Sequence, residues 1–446
     1  LTGYESQPSP LLASVADIAY AGPSDAGPSD ASLLRSVAAV DTTAAEVHPL
    51  DYFLNAARAN HPRILATRAR ASSFRHRAVQ AGSLDDPSVT NSFFPISDQA
   101  LQTAAGRAGN SLAIAQKYPW PEKRRVREAI ADRETRMALA RLEQVELEIE
   151  ESVRLAYYEL WFANRALSVT ERNREFAASL IELATARYRA GGSQRDVVRA
   201  ELQVDLIEQR LVDLARQRAQ SQADLAALIG EPERSGLDAS GELLIGELPE
   251  NLESLFCAAA ECNPRLHELR WAVARDREKR RLACLNRYPD FTVGAGWQTI
   301  TESAAISPVA NGHDNVSFVV GVTLPIWRDK INASIREASC DQTAAGREYI
   351  AAQDEEYRRI RRLVEQAYAL DEQLRLYREH LSPRAEQALS LVTADYQGAL
   401  ADFSEVVGSV TESLTLELQT ARMEASLAGT LAQLQRAVGG AAFGLE

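Results

Sequence analysis

One stretch of this sequence occurs twice, and the duplication limits the possible fold more than any other feature. The first copy is Leu50–Ile64, and the second, at a constant offset of 202 residues, is Leu252–Leu266. The aligned pairs include Leu54 with Phe256, Ala57 with Ala259, Pro62 with Pro264 and Arg63 with Arg265. Because the chain has 446 residues, this offset predicts two fused copies of one unit of roughly two hundred residues.

Turn residues and composition set the expected boundaries of the two units. We expect a first repeat at residues 47–230, a linker containing Gly and Pro at 231–250, and a second repeat at 251–440. Residues 1–46 contain the tetrapeptide GPSD twice among Ala, Ser and Pro, and they have too little apolar surface to fold alone. We therefore expect residues 1–46 to form a flexible arm and residues 441–446 to form a short C-terminal tail.

Charge and composition exclude several classes of protein. The net charge is −13 and the Arg residues are interspersed with acids, so general nucleic-acid binding is not expected. No run of eighteen apolar residues exists, so no transmembrane helix is expected. The sequence has no nucleotide-binding, metalloprotease or hydrolase motif. We therefore expect no catalytic residue and no cofactor.

The cysteines and histidines show no spacing typical of a metal site, and we expect none of them to bind a metal ion. The six histidines are scattered, and the cysteine spacing fits no zinc pattern. We expect the cysteines to be packing residues, with one disulfide as the alternative. The four cysteines are Cys257, Cys262, Cys284 and Cys340.

Each half contains two short candidates for β-strands between its helices. In the second half, residues 291–299 and 317–324 alternate apolar and polar side chains, which is typical of a strand with one apolar face. The candidates in the first half are residues 88–94 and 111–118, with a long polar loop at about 96–110. Four such strands suit a membrane barrel assembled from several chains. A soluble antiparallel sheet covered by helices fits the same pattern.

A proline next to an aromatic residue follows the second strand of each half. Trp120 stands at this step in the first half, and Trp327 stands at it in the second. Tryptophan is enriched at membrane–water interfaces, so the matched positions favour an interface role for both residues. Packing in the corner between strand and helix is the alternative.

Very long helices follow these steps. Residues 121–189 contain no Gly or Pro, and their apolar residues recur at a spacing of three and four. At 1.5 Å per residue, this predicts a rod of roughly 100 Å. A second helix is expected at 195–229, and helices at 330–396 and 402–438 are expected in the other half. The helix at 330–396 has its only expected breaks at Gly346 and at Ser382-Pro383.

Three kinds of motif accompany this order of elements: the repeated start at Ala57–Ile64 and Ala259–Leu266, the Pro–Trp step with a basic helix start at Gln116–Arg125, and the turns at Tyr188–Val197 and Tyr396–Val406. Together with the order of the elements, these motifs resemble the TolC-type outer-membrane efflux channels over about residues 48–440, nearly the whole chain. The step at Gln116–Trp120 is similar to that of the heavy-metal cation branch of that family.

The resemblance implies a mainly α-helical chain with a small membrane β-barrel. Three chains would form a homotrimer in the outer membrane, each giving four strands to a shared twelve-stranded barrel, and the long helices would form a tunnel across the periplasm. The implied partners are outer-membrane lipid, a periplasmic adaptor and an inner-membrane pump. The adaptor would dock at the turns around Gly191, Gly192 and Gly398.

The resemblance also implies a periplasmic gate made of acidic side chains just after the turns. The matching positions are Asp196 and Glu405. Where the family often has a second acid three residues further on, this chain has Arg199 and Gly408. Independently of the family, a ring of carboxylates repeated by symmetry favours cations. As an alternative role, both acids would simply stabilise helix N-termini through the helix dipole.

The conclusion from the sequence is a passive exit channel of a tripartite efflux system, with small molecules, metal ions and proteins as competing cargo classes. A soluble coiled-coil scaffold or adaptor without a pore is the alternative function. That alternative accounts for the long helices, but it leaves the four alternating strands unexplained.

Overall fold

The computed structural model describes residues 46–93, 102–103, 105–239, 241, 243, 245–249, 251–302, 309, 311–398 and 400–440. The expected arm, apart from Glu46, and the expected tail at 441–446 lie outside the described residues.

The described chain is mainly helical. Its helices are α1 Leu50–Asn60, α2 Pro62–Gly82, α3 Pro121–Arg189, α4 Gln194–Leu228, α5 Leu252–Cys262, α6 Pro264–Leu285, α7 Arg328–Leu376, α8 Ser382–Gln397 and α9 Phe403–Val438. Its strands are β1 Glu46–His48, β2 Ser88–Ser92, β3 Gln102–Thr103, β4 Gly106–Tyr118, β5 Leu237–Ala239, β6 Asp290–Thr301 and β7 Asn315–Thr323. No helix in this part of the chain combines the length and apolarity needed to span a membrane.

The duplicated stretch forms the same helix–break–helix joint in both halves. His61 ends α1 and caps α2, where its Nδ1 atom accepts a hydrogen bond from the Arg63 amide at 3.2 Å. Asn263 ends α5 and caps α6, where its Oδ1 atom accepts from the Arg265 amide at 2.9 Å. A proline follows each cap, at the start of a helix, where its missing N–H costs nothing.

Helix α3 is the central element of the fold. It has 69 residues, about 100 Å at 1.5 Å per residue, and it packs against α2, α4, α6 and α9. Its buried apolar residues continue the spacing of three and four, and Val153, Leu160 and Ala163 have no exposed surface. Truncating Leu160 to Ala would remove a fully enclosed side chain, which typically costs about 2–5 kcal/mol.

The corresponding rod of the second half is interrupted next to the break expected at Ser382-Pro383, whereas the break expected at Gly346 is wrong, because α7 runs through that residue. Helix α7 ends at Leu376, a π-helical turn occupies Tyr377–Leu381, and α8 begins at Ser382. The physical reason is Pro383, which has no N–H to donate and whose ring would clash with the carbonyl four residues earlier. The wider π turn accommodates that proline without ending the rod.

The four main strands form one antiparallel sheet in the order β2-β4-β6-β7, and β3 also pairs with β4. The long polar loop expected at 96–110 is wrong in its second part, because β3 and the first half of β4 lie there. That extension pairs with β6 from Arg107↔Thr301 onward, across an irregularity between Ala108 and Ser111. Phe94, the last residue of the first expected strand, lies outside the described residues.

One face of this sheet carries exposed apolar side chains in rows. Directly opposite residues of antiparallel strands point to the same face, so the register of β4, β6 and β7 gives the rows. The rows are Leu112–Trp297–Val316, Ile114–Ala295–Phe318 and Tyr118–Phe291–Val322. Phe318, in the second of these rows, is 83% exposed.

Two further features differ from expectation. The region expected to be a linker contains β5, which pairs in parallel with β1, from Glu46↔Leu237 to His48↔Ala239. The four cysteines are free and exposed, so the expectation that they pack in the interior is wrong. In the described part of the chain, no three metal-ligating side chains form a group that could hold an ion.

Candidate gate at the helix turns

The two turns that were predicted from the sequence lie at the ends of the paired helices. The first connects α3 to α4, and the second connects α8 to α9. Both lead into a helix whose third residue is an acid, Asp196 in α4 and Glu405 in α9. The acids therefore hold equivalent positions near the positive end of a helix dipole.

The first turn depends on its two glycines. Gly191 has φ +102°, the left-handed region that a side chain disfavours. A Cβ atom on Gly192 would lie 2.9 Å from the Arg187 carbonyl oxygen, which is shorter than the contacts that Cβ atoms make in proteins. The Gly192 amide donates to that same oxygen at 2.9 Å, which closes the helix end. Ser193 then caps α4 by accepting from the Arg195 amide.

The second turn is built differently. Gly398 has φ −76°, and a Cβ atom there would meet its neighbours only at ordinary contact distances of 3.6 Å or more. Its amide donates to the Ala394 carbonyl at 3.0 Å, and the Leu400 amide donates to the Asp395 carbonyl at 2.8 Å. Because this turn has one more residue between Tyr396 and the next helix, it reverses the chain without a left-handed residue at Gly398.

A buried cluster joins the two turns. The Tyr396 side chain is fully buried, and its hydroxyl donates to the Asp196 carboxylate at 3.3 Å. The Arg187 guanidinium lies 4.3 Å from the centre of the Tyr396 ring and donates to the Tyr396 carbonyl oxygen at 3.1 Å. Phe403 packs edge-on against the same ring at 5.3 Å. The start of α4 is thus tied to the end of α8, two hundred residues further along the chain.

The charge state of this cluster follows from its surroundings. Burial raises the pKa of the Tyr396 hydroxyl, and the neighbouring Asp196 carboxylate raises it further. The hydroxyl therefore stays protonated and remains a hydrogen-bond donor. Asp196 itself is only 8% exposed, so the tyrosine hydroxyl is a partner that a buried carboxylate needs.

Glu405 has a different environment, although its position in the helix is the same. Its side chain is exposed and forms no ion pair within the part of the chain that the structure describes. Arg199, one turn after Asp196, is half-buried, and Gly408, one turn after Glu405, is exposed. The structure therefore brings Asp196 into a bonded cluster and leaves Glu405 accessible.

The two tryptophans at the strand exits also have unlike environments. Trp120 stacks on Tyr288 with ring centres 5.0 Å apart, and its amide donates to Asp290. The same Asp290 carboxylate binds the ammonium group of Lys123, a lysine only 5% exposed, at 2.8 Å. Trp327 is 72% exposed at the start of α7. Of these two residues, Trp327 is therefore the one whose indole is mostly exposed.

Sequence reasoning did not identify the cluster at the turns. Tyr396 was noticed as part of a turn motif, but nothing in the sequence showed that its hydroxyl reaches Asp196. Arg187 lies in a helix with many arginines and has no distinguishing local pattern. An available signal was the equal spacing of Asp196 and Glu405 from their helix starts, combined with an aromatic residue before each turn.

The sequence profile described as outer membrane efflux protein matches residues 53–231 and 255–440, one stretch in each half. No curated relative matches the chain. The fold is similar to three solved channels at low identity, with TM-scores of 0.75, 0.73 and 0.71. OprN is 17% identical, and the match covers 88% of this chain and 90% of OprN. VceC of Vibrio cholerae is 20% identical, with 88% of this chain and 96% of VceC covered. The open state of MtrE of Neisseria gonorrhoeae is 18% identical, with 88% of this chain and 89% of MtrE covered. The chain therefore belongs to the outer membrane efflux protein family, and it is a protein of the outer membrane with a role in efflux.

Proposed function

We propose that this protein is the passive outer-membrane exit channel of a tripartite efflux system. It would act as a homotrimer and receive cargo from a periplasmic adaptor and an inner-membrane pump. The observation that carries the proposal is the exposed apolar face of the sheet at one end of a helical rod of about 100 Å. Such a face costs free energy in water and is stable against lipid.

The open edges of the sheet support the trimer. Strands β2 and β7 each pair with one neighbour in the described chain, and exposed edges pair readily with another chain. Three copies would join β7 of one protomer to β2 of the next, which gives twelve main strands in a closed barrel. Closure satisfies every backbone group that would otherwise face lipid unpaired.

Exposed apolar residues on the helices support the same assembly. Helix α4 buries Ala200, Ile207 and Leu214 against its own chain. It exposes a second stripe of Val198, Leu202 and Leu206, each more than half accessible. Helix α8 exposes Leu391 to a similar extent. Helix α4 packs mainly on α3 and helix α8 mainly on α9, so the apolar surfaces that both expose would meet between neighbouring protomers.

The gate assignment divides the two acids by role. Three copies of Glu405 would place accessible carboxylates around the closed end and favour cations there. Asp196 would act through Tyr396 and hold the two turns of each protomer together. The adaptor would dock around Gly191, Gly192 and Gly398. Cargo from the heavy-metal class stays a hypothesis, since the outer-membrane component accepts what its pump delivers.

Single-channel recording in lipid bilayers tests the gate. The variant Asp196→Ala/Glu405→Ala is expected to have higher conductance or weaker cation selectivity than the native protein. The matched control is Glu253→Ala, because Glu253, like Glu405, is an exposed acid in the first turn of a helix, here α5, away from the turns. Unchanged conductance and selectivity in the double variant would count against the gate.

Fractionation of expressing cells tests the channel against the soluble coiled-coil scaffold. A trimeric channel is expected in the outer membrane, with a detergent-solubilised mass three times the chain mass of 48.9 kDa. Membership of an outer-membrane family does not fit the scaffold, and a transport family gives no reason to expect catalysis. Release without detergent as a monomer or dimer would remove support for the trimeric channel.

A further inference from the structure

A groove lined by arginines lies across α2, α3 and α6, away from both the sheet and the turns. Its cavity volume is about 640 Å³. Residues spaced by three, four and seven positions lie on one face of a helix, so α2 presents one row of side chains to the groove. We call this surface the arginine groove, defined by Arg70, Phe74 and Arg77 of α2 and by Met137 and Arg141 of α3.

Some arginines at this surface are already neutralised within the chain. Arg63, at one end, donates to Glu148 at 3.3 Å. Arg275 of α6 makes two hydrogen bonds to Asp276, at 2.8 and 3.0 Å. These two guanidinium groups have carboxylate partners and need no further anion.

The three arginines that define the groove have no such partner. Among the residues that the structure describes, Arg70, Arg77 and Arg141 form no ion pair. The Arg77 guanidinium instead lies 4.5 Å from the centre of the Phe74 ring, and Arg141 donates to the side-chain oxygen of Gln144 at 2.7 Å. In a chain with a net charge of −13, three unpaired guanidinium groups around one cavity form a local positive site.

Two carboxyl groups also line the cavity, and they do not cancel this charge. Glu134 and Glu268 oppose the three arginines of the lining that have no carboxylate partner, Arg70, Arg77 and Arg141. Burial raises the pKa of Glu268, although the neighbouring Arg141 guanidinium works against that effect. The balance of charge in the cavity therefore remains positive.

The floor of the groove is apolar. Ala71 and Val145 are buried beneath it, and Phe74 and Met137 are half-buried at its sides. Guanidinium groups bind carboxylates and other oxyanions through paired hydrogen bonds, while an aromatic ring and a thioether favour a flat apolar body. We propose that the arginine groove binds an amphiphilic organic anion, one acidic group on an aromatic or aliphatic body of drug size.

The position of the groove selects a free molecule over a lipid headgroup. Glu134 lies thirteen residues after Pro121, the first residue of α3 at the sheet, which is about 20 Å along the helix axis. This distance places the groove below the apolar face of the sheet, outside the reach of a bilayer surface that this face would contact. The choice of a free molecule rests on the proposed contact between the sheet and the bilayer, whereas binding itself does not depend on whether the chain conducts.

Calorimetric titration of the full chain in a nonionic detergent tests the proposal, with 2-naphthoate as the anion and 2-naphthamide as its neutral counterpart. We expect 2-naphthoate to bind more tightly, and the variant Arg70→Gln/Arg141→Gln to weaken it by roughly tenfold or more. The matched control is Arg75→Gln, because Arg75 is an exposed arginine of α2 outside the cavity lining. It should change the affinity by less than about twofold.

A second variant tests the cavity without changing any charge. Ala138 lines the groove, so Ala138→Trp should fill it and abolish binding of 2-naphthoate while circular dichroism stays native. Equal affinity for 2-naphthoate and 2-naphthamide would overturn the proposal. Equal losses in Arg75→Gln and in the double variant would also overturn it, because they would indicate a general attraction to positive charge.

Discussion

Protonation of His61 is expected to loosen the start of α2. The Nδ1 atom of His61 accepts the Arg63 amide hydrogen bond at 3.2 Å, and only a neutral imidazole has an acceptor nitrogen. At the same joint in the second half, Asn263 accepts from the Arg265 and Leu266 amides, and an amide does not titrate. The two halves of one chain should therefore respond differently to acid.

The sign of the effect follows from the pKa. Burial of the ring, and then the positive charge of Arg63, lower the pKa of His61 below its ordinary value of 6.5. The unfolded chain thus binds a proton at a higher pH than the folded chain does. The contribution of neutral His61 to the free energy of unfolding is therefore fully present above about pH 6.5. It is lost as the pH falls through the lower pKa of the folded state.

The magnitude follows from the lost cap. Losing an N-cap acceptor typically costs about 1 kcal/mol, with a range of roughly 0.5–2 kcal/mol. A change of that size raises the population of the locally open joint about fivefold. Since His61 is 9% exposed, water does not readily replace the lost hydrogen bond, and we expect a value near the middle of that range.

Hydrogen exchange measured by mass spectrometry resolves the two joints in one experiment. Between about pH 7.5 and 5, after correction for intrinsic exchange rates, the α1–α2 peptide should lose protection and the α5–α6 peptide should not. His61→Asn should remove the response, and Asn263→His should create one in the second half. An unchanged response in His61→Asn, or equal responses at both joints of the native chain, would refute this account.

Three further predictions concern the turns and the end of the helical rod near the sheet. Gly191→Ala should destabilise the first turn by about 1–2 kcal/mol because of its left-handed backbone, whereas Gly398→Ala should be nearly neutral; local hydrogen exchange compares them, and equal costs would contradict the turn geometry. Lys123→Met should lower the free energy of unfolding by roughly 3 kcal/mol, measured by thermal unfolding, because it leaves Asp290 without its cation. The double variant Lys123→Met/Asp290→Asn should lose less, and additive losses from the two substitutions would contradict this pairing. A variant with Trp327 as its only tryptophan should lose fluorescence in brominated lipid relative to ordinary lipid, and equal intensities would place that indole outside the interface.

The parts of the fold that could be predicted from sequence are those with local signals. Proline and glycine mark the ends of α3, so its bounds at Pro121 and Arg189 agree with the sequence. The alternation in β6 and β7 locates both strands to within two residues. Duplication helped because a weak signal in one half was supported by a clearer one in the other.

The parts that could not be predicted depend on contacts between distant residues. The first half of β4 has no clean alternation, and it becomes a strand because β6 is there to pair with it. The π turn required knowing that the rod continues past Pro383. The different environments of Asp196 and Glu405 depend on where Tyr396 lies, and no local pattern gives that information.

The π turn makes the two long helical rods of the chain unequal in stiffness. Helix α3 has one hydrogen-bonding pattern over its 69 residues, so any bending is distributed along its whole length. The α7–α8 rod changes its pattern at Tyr377–Leu381, which concentrates compliance at one joint. We therefore expect a displacement of the α8–α9 turn to bend its rod mainly at this joint, whereas the same displacement of the α3–α4 turn would be spread along the whole of α3.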